Sequence, residues 1–334
     1  MPGGEERALR GRIKSVQSTK KITRAMEMIS ASRIVKAQQR VSAARPYSEQ
    51  ITKVVGNLAE AGAGSGQPLL TPREKVSTVG VIVLAADRGL AGGYNSAIIR
   101  VAEKALLDAE ADGHSTQLFA VGRKAVSYFR YRGREIASDF TGFTDSPGYE
   151  DARRIAEEVV GRFEAGDLDR VELAYTHFVS VGTQKPTITR FVPLEPDELP
   201  AADDEKDKEK EKGSGPQADY EYEPGAETIL ERLLPRYVEG RVFAAMLDAA
   251  ASEQAARQRA MKAATDNAEE LTKKLSTVAN KLRQAGITTE IMEIVGGAEA
   301  LRLAKTGGKV EYFPETVLSR DILVDHLDRS GAYK

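Results

Sequence analysis

The segment at residues 87–95, with the sequence DRGLAGGYN, is the stretch whose residue types could bind a phosphate group. It follows residues 79–86, VGVIVLAA, an apolar run typical of a buried strand in a parallel sheet. Glycine-rich turns between a strand and a helix can hold phosphates with backbone N–H groups. However, Gly89, Gly92 and Gly93 match neither the dinucleotide-binding spacing nor the P-loop spacing. We therefore expect a tight turn here, in which Asp87 caps the turn or a helix end.

Metal and thiol chemistry have little support in the sequence. The chain contains no cysteine, and its three histidines, His114, His177 and His326, are too widely spaced to suggest a metal site. No apolar run approaches the roughly 20 residues of a membrane-spanning helix, and the N-terminus lacks the apolar core of a signal peptide. We expect a soluble, cytosolic chain with no direct bilayer span, which could still dock on a membrane complex.

Charge is unevenly distributed although the net charge is only -2. Residues 1–60 contain twelve Lys or Arg against five Glu, whereas residues 195–223 contain twelve Asp or Glu against four Lys. The basic segment is either a solvated helix face or a surface for an acidic partner, which could be nucleic acid or protein. Tyr47 is its only aromatic residue, so base stacking has little support. Within the acidic segment, we predict a disordered loop at residues 201–217.

The elements that position these residues begin with a heptad pattern near the end of the chain. Steps of four and three residues predict a coiled-coil seam at Phe243, Leu247, Ala250, Gln254, Arg257, Met261, Ala264, Ala268, Leu271, Leu275, Val278, Leu282 and Ala285. A helix over residues 227–294 would be about 100 Å long. Gln254 and Arg257 on this seam suggest either register control or contact with something outside the helix pair. The alternative is a long core helix of a bundle.

A second long helix is predicted at residues 5–58, and it would be the partner of the first. Its apolar residues recur mostly at helical spacings: Leu9, Ile13, Val16, Ile22, Met26, Ile29, Ile34, Val41, Ile51, Val55 and Leu58. Between the two helices we predict strands at 79–86, 118–121, 135–140, 171–181 and 187–192, with helices at 96–110, 124–132 and 151–165. This alternation predicts a small α/β sheet with helices on its faces.

Several separated segments, in this order, carry a resemblance to a known family. They are RGRIKSVQSTKKITRAMEMISASRI near the N-terminus, DRGLAGGYN, YEYEP at 220–224, and ASEQAARQRAMKAATDNAEEL followed by ITTEIMEIVGGAEAL. Together they resemble the gamma subunits of F-type ATP synthases over residues 5–301. The resemblance implies an α/β fold class, with a long antiparallel coiled coil of the N- and C-terminal helices and an inserted, small Rossmann-like α/β domain.

The resemblance also implies a function and partners. One copy of such a chain threads a hexamer of three alpha and three beta subunits, and its α/β domain sits with epsilon on the c ring. Proton-driven rotation of the ring then couples to ATP synthesis or hydrolysis at the beta sites. We accordingly expect a non-catalytic rotor with no catalytic residue, cofactor or metal of its own and no nucleic-acid partner. It would lie peripherally at the cytoplasmic face of the bacterial cell membrane.

By the same resemblance, individual residues acquire expected roles. The residues expected to contact beta are Lys20, Lys21, Arg24 and Met26 near an acidic lever loop, and Arg257, Arg283, Gln284 and Thr288 near the catch loops. The residues expected to form an apolar bearing at the top of the sleeve are Ile291, Ile294, Val295 and Leu301. Tyr222 and Glu223 are expected to meet the c ring and epsilon.

The expected domains follow from these patterns. They are an N-terminal coiled-coil helix at 1–60, an α/β domain at 70–200, a charged loop at 201–218, a C-terminal coiled-coil helix at 224–301, and a tail at 302–334 that the family normally lacks. We expect the tail to be flexible and without a defined role. Gly286 lies inside the C-terminal helix, where it costs about 1 kcal/mol relative to alanine and allows local bending.

Two other classes of function remain open. One is an α/β enzyme that binds nucleotides and carries helical arms, which tight nucleotide binding by the isolated chain would support. The other is a basic coiled-coil protein that binds nucleic acid, which a steep salt dependence of duplex binding would support.

Overall fold

The computed structural model describes residues 2–59, 66–194, 223 and 225–306 and confirms the predicted fold class. Two long terminal helices, α1 (Pro2–Leu58) and α5 (Ala226–Thr306), enclose the α/β domain in sequence. The elements between them are β1 (Thr78–Leu84), α2 (Tyr94–Ala111), β2 (Ser115–Val121), α3 (Arg123–Tyr131), β3 (Ser138–Phe140), α4 (Tyr149–Glu164), β4 (Arg170–Phe178) and β5 (Gln184–Val192).

The five strands form one sheet in the order β3-β2-β1-β4-β5. The first four are parallel to their neighbours, and β5 returns antiparallel to β4. The strand at β1 is apolar on both faces because helices cover both: Ile82 packs on the side of α4 and the terminal helices, and Val81 on the side of α2 and α3. This is the buried type of parallel strand that its sequence predicted.

The strands predicted at 171–181 and 187–192 are confirmed as the antiparallel pair β4 and β5, but the turn between them lies earlier than expected. The backbone N–H and C=O groups of Ser180 and Thr183 bond to each other, which closes the turn at residues 180–183. As a result β4 ends at Phe178 rather than at residue 181, and β5 begins at Gln184 rather than at residue 187.

The chain divides into two compact units. The larger is Val16–Glu270, which contains the whole α/β domain. The smaller consists of Met1–Ser15 with Leu271–Lys334, of which residues 2–15 and 271–306 are described. Each long helix therefore contributes to both units.

Within the larger unit, α1 and α5 pair in antiparallel fashion. The Lys20 Nζ lies 2.9 Å from Glu269 Oε2, and a Cβ added at Gly240 would meet the Tyr47 ring at 3.8 Å. The residue numbers in contact therefore decrease along α5 as they increase along α1, which is the antiparallel arrangement. We refer to residues 16–58 of α1 and 226–270 of α5 as the helix pair.

The predicted seam of α5 is correct at some positions and displaced by one residue at others. Thr265 is buried where Ala264 was predicted, although Met261 and Ala268 are buried as expected. In the smaller unit, Ala279 is buried and the adjacent Val278 is 47% exposed. The prediction is therefore wrong at Ala264 and Val278, and it is confirmed at the buried positions Leu247, Ala250, Gln254, Arg257, Met261 and Ala268.

The face of α1 was predicted correctly in part, since Ile34, Ile51, Val55 and Leu58 are buried as expected. Ile22 and Ile29 were placed with the apolar positions, but they are 59% and 54% exposed. Thr23 and Ser30, their immediate neighbours, are buried instead. Small polar side chains fit where two helix backbones approach closely, and this leaves the larger isoleucines on the outer face.

Several predictions fall outside the described residues. The charged loop at 201–218 and the tail from residue 307 onward are among them. The C-terminal helix extends past residue 294 to Thr306, and Gly286 does not end it. Nothing in the structure tests the other predicted domain boundaries.

Candidate functional site

The basic residues predicted to meet beta lie on one stretch of α1. Lys21 and Arg24 are exposed, Met26 is half-buried, and Lys20 is half-buried in its contact with α5. Arg24 also pairs with Glu27 one turn along, at 3.2 Å between nitrogen and oxygen. The charged groups of Lys21 and Arg24 thus face outward, whereas Lys20 forms an ion pair with Glu269 inside the helix pair.

Arg257, which was also predicted to touch beta, is buried within this chain. It is 5% exposed, its guanidinium forms an ion pair with Glu253 one turn earlier, and it donates to the Gly89 carbonyl oxygen at 3.3 Å. Its second acidic neighbour, Asp145, lies 3.9 Å away. Within this chain Arg257 is thus an internal residue that fixes α5 against the α/β domain, and its contact with beta stays a prediction. Of the two alternatives that its place on the seam offers, contact with something outside the helix pair fits this position, because Gly89 and Asp145 belong to the α/β domain.

Asp145 belongs to the connection between β3 and α4, residues 141–148, which we call the anchoring loop. Its Oδ2 is 3.5 Å from Arg33 of α1 and 3.2 Å from Arg88, in the loop after β1. Its Oδ1 faces Arg257 of α5. The Asp145 carboxylate therefore lies within 4 Å of three arginines that come from three different parts of the larger unit.

Asp87 fastens the other side of the anchoring loop. Its carboxylate accepts hydrogen bonds from the backbone N–H groups of Gly142 and Thr144 and from that of Arg123, the first residue of α3. Burial alone would raise the pKa of this carboxyl, but the hydrogen bonds outweigh it and the pKa is lowered. The prediction that Asp87 caps a turn or a helix end is confirmed.

Glu253 is the carboxyl most strongly affected by burial. Its side chain is 1% exposed, and burial together with the adjacent Asp145 carboxylate raises its pKa to about 7, although Arg257 acts in the opposite direction. Tyr94 on α2 lies in the same region, and its hydroxyl donates to the Ala249 carbonyl oxygen at 3.1 Å. Burial and the charge of Glu253 raise the pKa of Tyr94.

The remaining predicted catch-loop residues lie in the smaller unit. Arg283, Gln284 and Thr288 are all exposed. The Thr288 hydroxyl donates to the Gln284 carbonyl oxygen at 2.9 Å, a bond within the helix. Their side chains are therefore available to a partner, in contrast to that of Arg257.

The predicted bearing residues form an exposed apolar tip on α5. Ile291, Ile294, Val295 and Leu301 are 54%, 71%, 59% and 68% exposed. We call these four residues the apolar tip. Isolated exposed apolar side chains are common, but a run of this kind at one helix end is typical of an interaction site.

The predicted contact with the c ring and epsilon can be placed only in part. Tyr222 lies outside the described residues, and Glu223 is exposed.

A groove of about 480 Å³ lies beside the glycine-rich loop, between Gly92 and Gly93, the β4–β5 hairpin and α5. It is the place in this fold where a nucleotide would be sought, because it adjoins the first strand-to-helix turn. Arg259, the cation that lines it in the described part of the chain, already donates to the carbonyl oxygens of Val181 and Gly182. A nucleotide-binding role has no further support.

Among the residues that the structure describes, no cluster of three or more acidic or histidine side chains could hold a metal ion. No helix in the same ranges combines the length and the apolarity needed to cross a bilayer.

The sequence interpretation did not identify Asp145 or Glu253. Glu253 stands one helical turn before Arg257, a spacing that favours an ion pair, so the pair could have been proposed. Asp145 carries no such signal, because its partners Arg33, Arg88 and Arg257 come together only in the folded chain.

Comparison with known sequences gives matches over most of the chain. The model of the ATP synthase family matches residues 5–301. The chain is 48% identical over 305 residues to the ATP synthase gamma chain of Parafrankia sp., an alignment that covers 89% of this chain and 98% of that one. It is likewise 48% identical over 305 residues to the gamma chain of Frankia casuarinae, with the same coverage.

Solved structures show the same fold. A chain in the mitochondrial ATP synthase of Euglena gracilis, described as OSCP, F1 and c ring in rotational state 3, superposes with a TM-score of 0.62 at 18% identity. The match covers 93% of this chain and 99% of that one. A chain from the central stalk and c ring of the Tetrahymena thermophila enzyme gives a TM-score of 0.54 at 23% identity and covers 73% and 99%.

Proposed function

Because this chain belongs to the ATP synthase gamma chain family, we propose that it is the non-catalytic rotor of the central stalk, coupling rotation of a c ring to catalysis on beta subunits. Its partners are then alpha, beta, epsilon and the c ring. A rotor can act on three identical sites only through contacts that differ from site to site, and so its effect is an allosteric bias.

The observation that carries this proposal is the apolar tip. Ile294 and Leu301 are about two-thirds exposed on a helix that is otherwise rich in charge. Exposed apolar side chains at a helix end favour an apolar collar around them, because the collar removes them from water. A sleeve formed by a ring of alpha and beta subunits supplies such a collar without fixing the helix in one orientation.

Contacts with beta are proposed at two places. Lys21 and Arg24 on the outer face of α1 fit an acidic lever loop, since each keeps its charge exposed. Arg283, Gln284 and Thr288 on α5 fit the catch loops. Lys20 and Met26 remain in the first group as partly covered members. Arg257 remains in the second group as a member that is buried in this chain.

Contact with the c ring and epsilon is proposed for Tyr222 and Glu223. The support is the match of the YEYEP segment to the family, together with the exposure of Glu223. We further propose that the complex lies peripherally at the cytoplasmic face of a bacterial cell membrane, since the most similar curated chains include bacterial gamma chains.

Co-assembly tests the proposed function. The chain is co-expressed with the alpha and beta subunits, the complex is purified through a tag on beta, and its subunit ratio and ATPase rate are measured. We expect one copy per three alpha and three beta subunits and faster ATP hydrolysis than alpha and beta alone. Failure to assemble, even without residues 302–334, would contradict the proposal. Tight binding of a nucleotide by the free chain would then favour the enzyme alternative.

A further inference from the structure

The anchoring loop is a polar point at which both terminal helices are tied to the α/β domain, in addition to the apolar core that they share with it. The anchoring loop receives Arg33 and Arg40 from α1, and Arg257 from α5. Arg40 donates to the Ser146 hydroxyl at 3.1 Å and to the Pro147 carbonyl oxygen. Contacts of this kind, together with the shared core, fix the relative angle of the helix pair and the α/β domain, and they therefore carry rotation that is transmitted between the two parts.

Asp145 is the centre of this point. It lies within 4 Å of Arg33, Arg88 and Arg257, and its side chain is 23% exposed. Arg257 is held in turn by Glu253 and by the carbonyl oxygen of Gly89. Charge-assisted contacts that converge on one carboxylate resist displacement in several directions at once.

The buried carboxyl of Glu253 and the half-buried carboxyl of Asp145 also affect each other. Oδ1 of Asp145 is buried, and with both carboxyls ionised no donor among the described residues reaches it in hydrogen-bond geometry. A proton on Glu253 provides that donor, and the neighbourhood of Asp145 favours the proton. Tyr94 of α2 and Arg257 are the other titratable groups that act on Glu253 there. The protonated Glu253 carboxyl thus completes the cluster without adding a second buried negative charge.

We propose that Asp145, Glu253 and Arg257 form the torque-bearing joint of the rotor, in which the anchoring loop binds both helices of the pair to the α/β domain. These are positioning residues: they act on the beta sites and on the c ring only through the parts that they hold together. The inference rests on the proposed rotor function.

The test uses the complete membrane-bound enzyme with Asp145→Asn. Asparagine retains the shape of the side chain but loses its attraction for three arginines. We expect ATP hydrolysis to remain close to wild type while the protons pumped per ATP fall by at least about twofold. Hydrolysis should also become less sensitive to a reagent that blocks the c ring, since a joint that slips lets the helix pair turn without the ring.

Asp169→Asn is the matched control. Asp169 also lies on a loop of the α/β domain, and it accepts hydrogen bonds from the backbone of Ser77 and Thr78 at 2.7 and 2.9 Å and faces Arg73. Its partners belong to the α/β domain alone. We expect this variant to lose thermal stability but to retain normal coupling.

A second variant covers the case in which Asp145→Asn does not assemble. Arg33→Gln combined with Arg88→Gln removes two of the ion pairs of Asp145. The two side chains are 46% and 63% exposed, so we expect the double variant to fold. It should lower the pumping ratio in the same direction. Wild-type coupling in the joint variants, or an equal loss of coupling in Asp169→Asn, would overturn the inference. If the wild-type chain itself did not support coupled pumping, the rotor proposal would fail instead.

Discussion

The side-chain oxygens of Thr23 and Thr265 lie 2.8 Å apart, one on each terminal helix and both buried. Each hydroxyl also lies within hydrogen-bond distance of a carbonyl oxygen on its own helix, Thr23 at 3.1 Å from Lys20 and Thr265 at 2.8 Å from Met261. The helix pair is held at this level by a small polar contact rather than by bulky aliphatic side chains. Such a contact permits close approach of the two backbones but buries little apolar area.

The threonine pair should show strong energetic coupling. Thr265→Val removes the hydrogen bond between the two hydroxyls and should lower the free energy of unfolding of the full chain by about 1 kcal/mol. The double variant with Thr23→Val should cost less than the sum of the single changes, because no unpaired hydroxyl remains. Urea unfolding of the wild type, the two single variants and the double variant measures these free energies. Thr277→Val, at an exposed position with only an intrahelical bond, is the control, and strictly additive effects would contradict the contact.

Arg257 and Arg283 provide a sharp comparison, because sequence resemblance gave both the same role. Arg257→Ala removes the buried cation beside Glu253 and Asp145 and should destabilise the free chain by about 3 kcal/mol. Arg283→Ala, at an exposed position, should change it by less than about 0.5 kcal/mol. Thermal unfolding without alpha and beta distinguishes the two. Equal stability of both variants would mean that Arg257 is not held as the structure shows.

Sequence alone could predict the fold because its strongest patterns are local. The strand at β1, the helices around it and the two terminal helices all follow from apolar spacing. The details that failed depend on the partner helix. Thr23 and Ser30 occupy the interface of α1, while Ile22 and Ile29 face outward. Ranking positions by the hydrophobicity of their side chains does not take into account how closely two helix backbones approach.

The raised pKa of Glu253 predicts a pH dependence of stability. The folded chain retains a proton on this carboxyl up to about pH 7, whereas the unfolded chain loses it near 4.5. The free energy of unfolding contributed by this group should therefore fall as pH rises from 4.5 to about 7 and then remain level, a change of about 3 kcal/mol.

The variant Glu253→Gln isolates this contribution, since glutamine resembles the protonated acid. We expect it to become more stable relative to the wild type as pH rises through this range. Urea unfolding of both chains at several pH values measures the difference and cancels the opposite contribution of Asp87, whose lowered pKa removes stability at low pH. A difference that is constant with pH would show that Glu253 is ionised in the folded chain.

The apolar tip should matter only in the complex. Ile294→Asp should leave the stability of the free chain unchanged within about 0.5 kcal/mol, because the side chain is 71% exposed. In the complex with alpha and beta it should slow ATP hydrolysis, since a charge would then face an apolar sleeve. Leu107→Asp, an exposed apolar position on α2, is the control for the substitution itself. Unchanged hydrolysis by the Ile294 variant would place the bearing elsewhere.

The candidate site was only partly accessible to sequence analysis. The motifs predict contact with beta for Arg24 and Arg283, and their exposure in the free chain is compatible with that prediction. The buried environment of Arg257 could not be predicted from sequence, because it is created by Asp145 and Gly89, which are more than 100 residues away. Long-range ion pairs of this kind are visible only in the folded molecule.

Direct observation of rotation tests the central claim. The chain has no cysteine, so Tyr131→Cys, at a side chain that is 87% exposed on the α/β domain, gives a single thiol for attaching a visible probe. The labelled chain is assembled with alpha and beta subunits fixed to a surface, and the probe is followed after ATP is added. We predict rotation in one direction that stops when ATP is withdrawn. A probe that stays still or only fluctuates, in a complex that hydrolyses ATP, would contradict the rotor function.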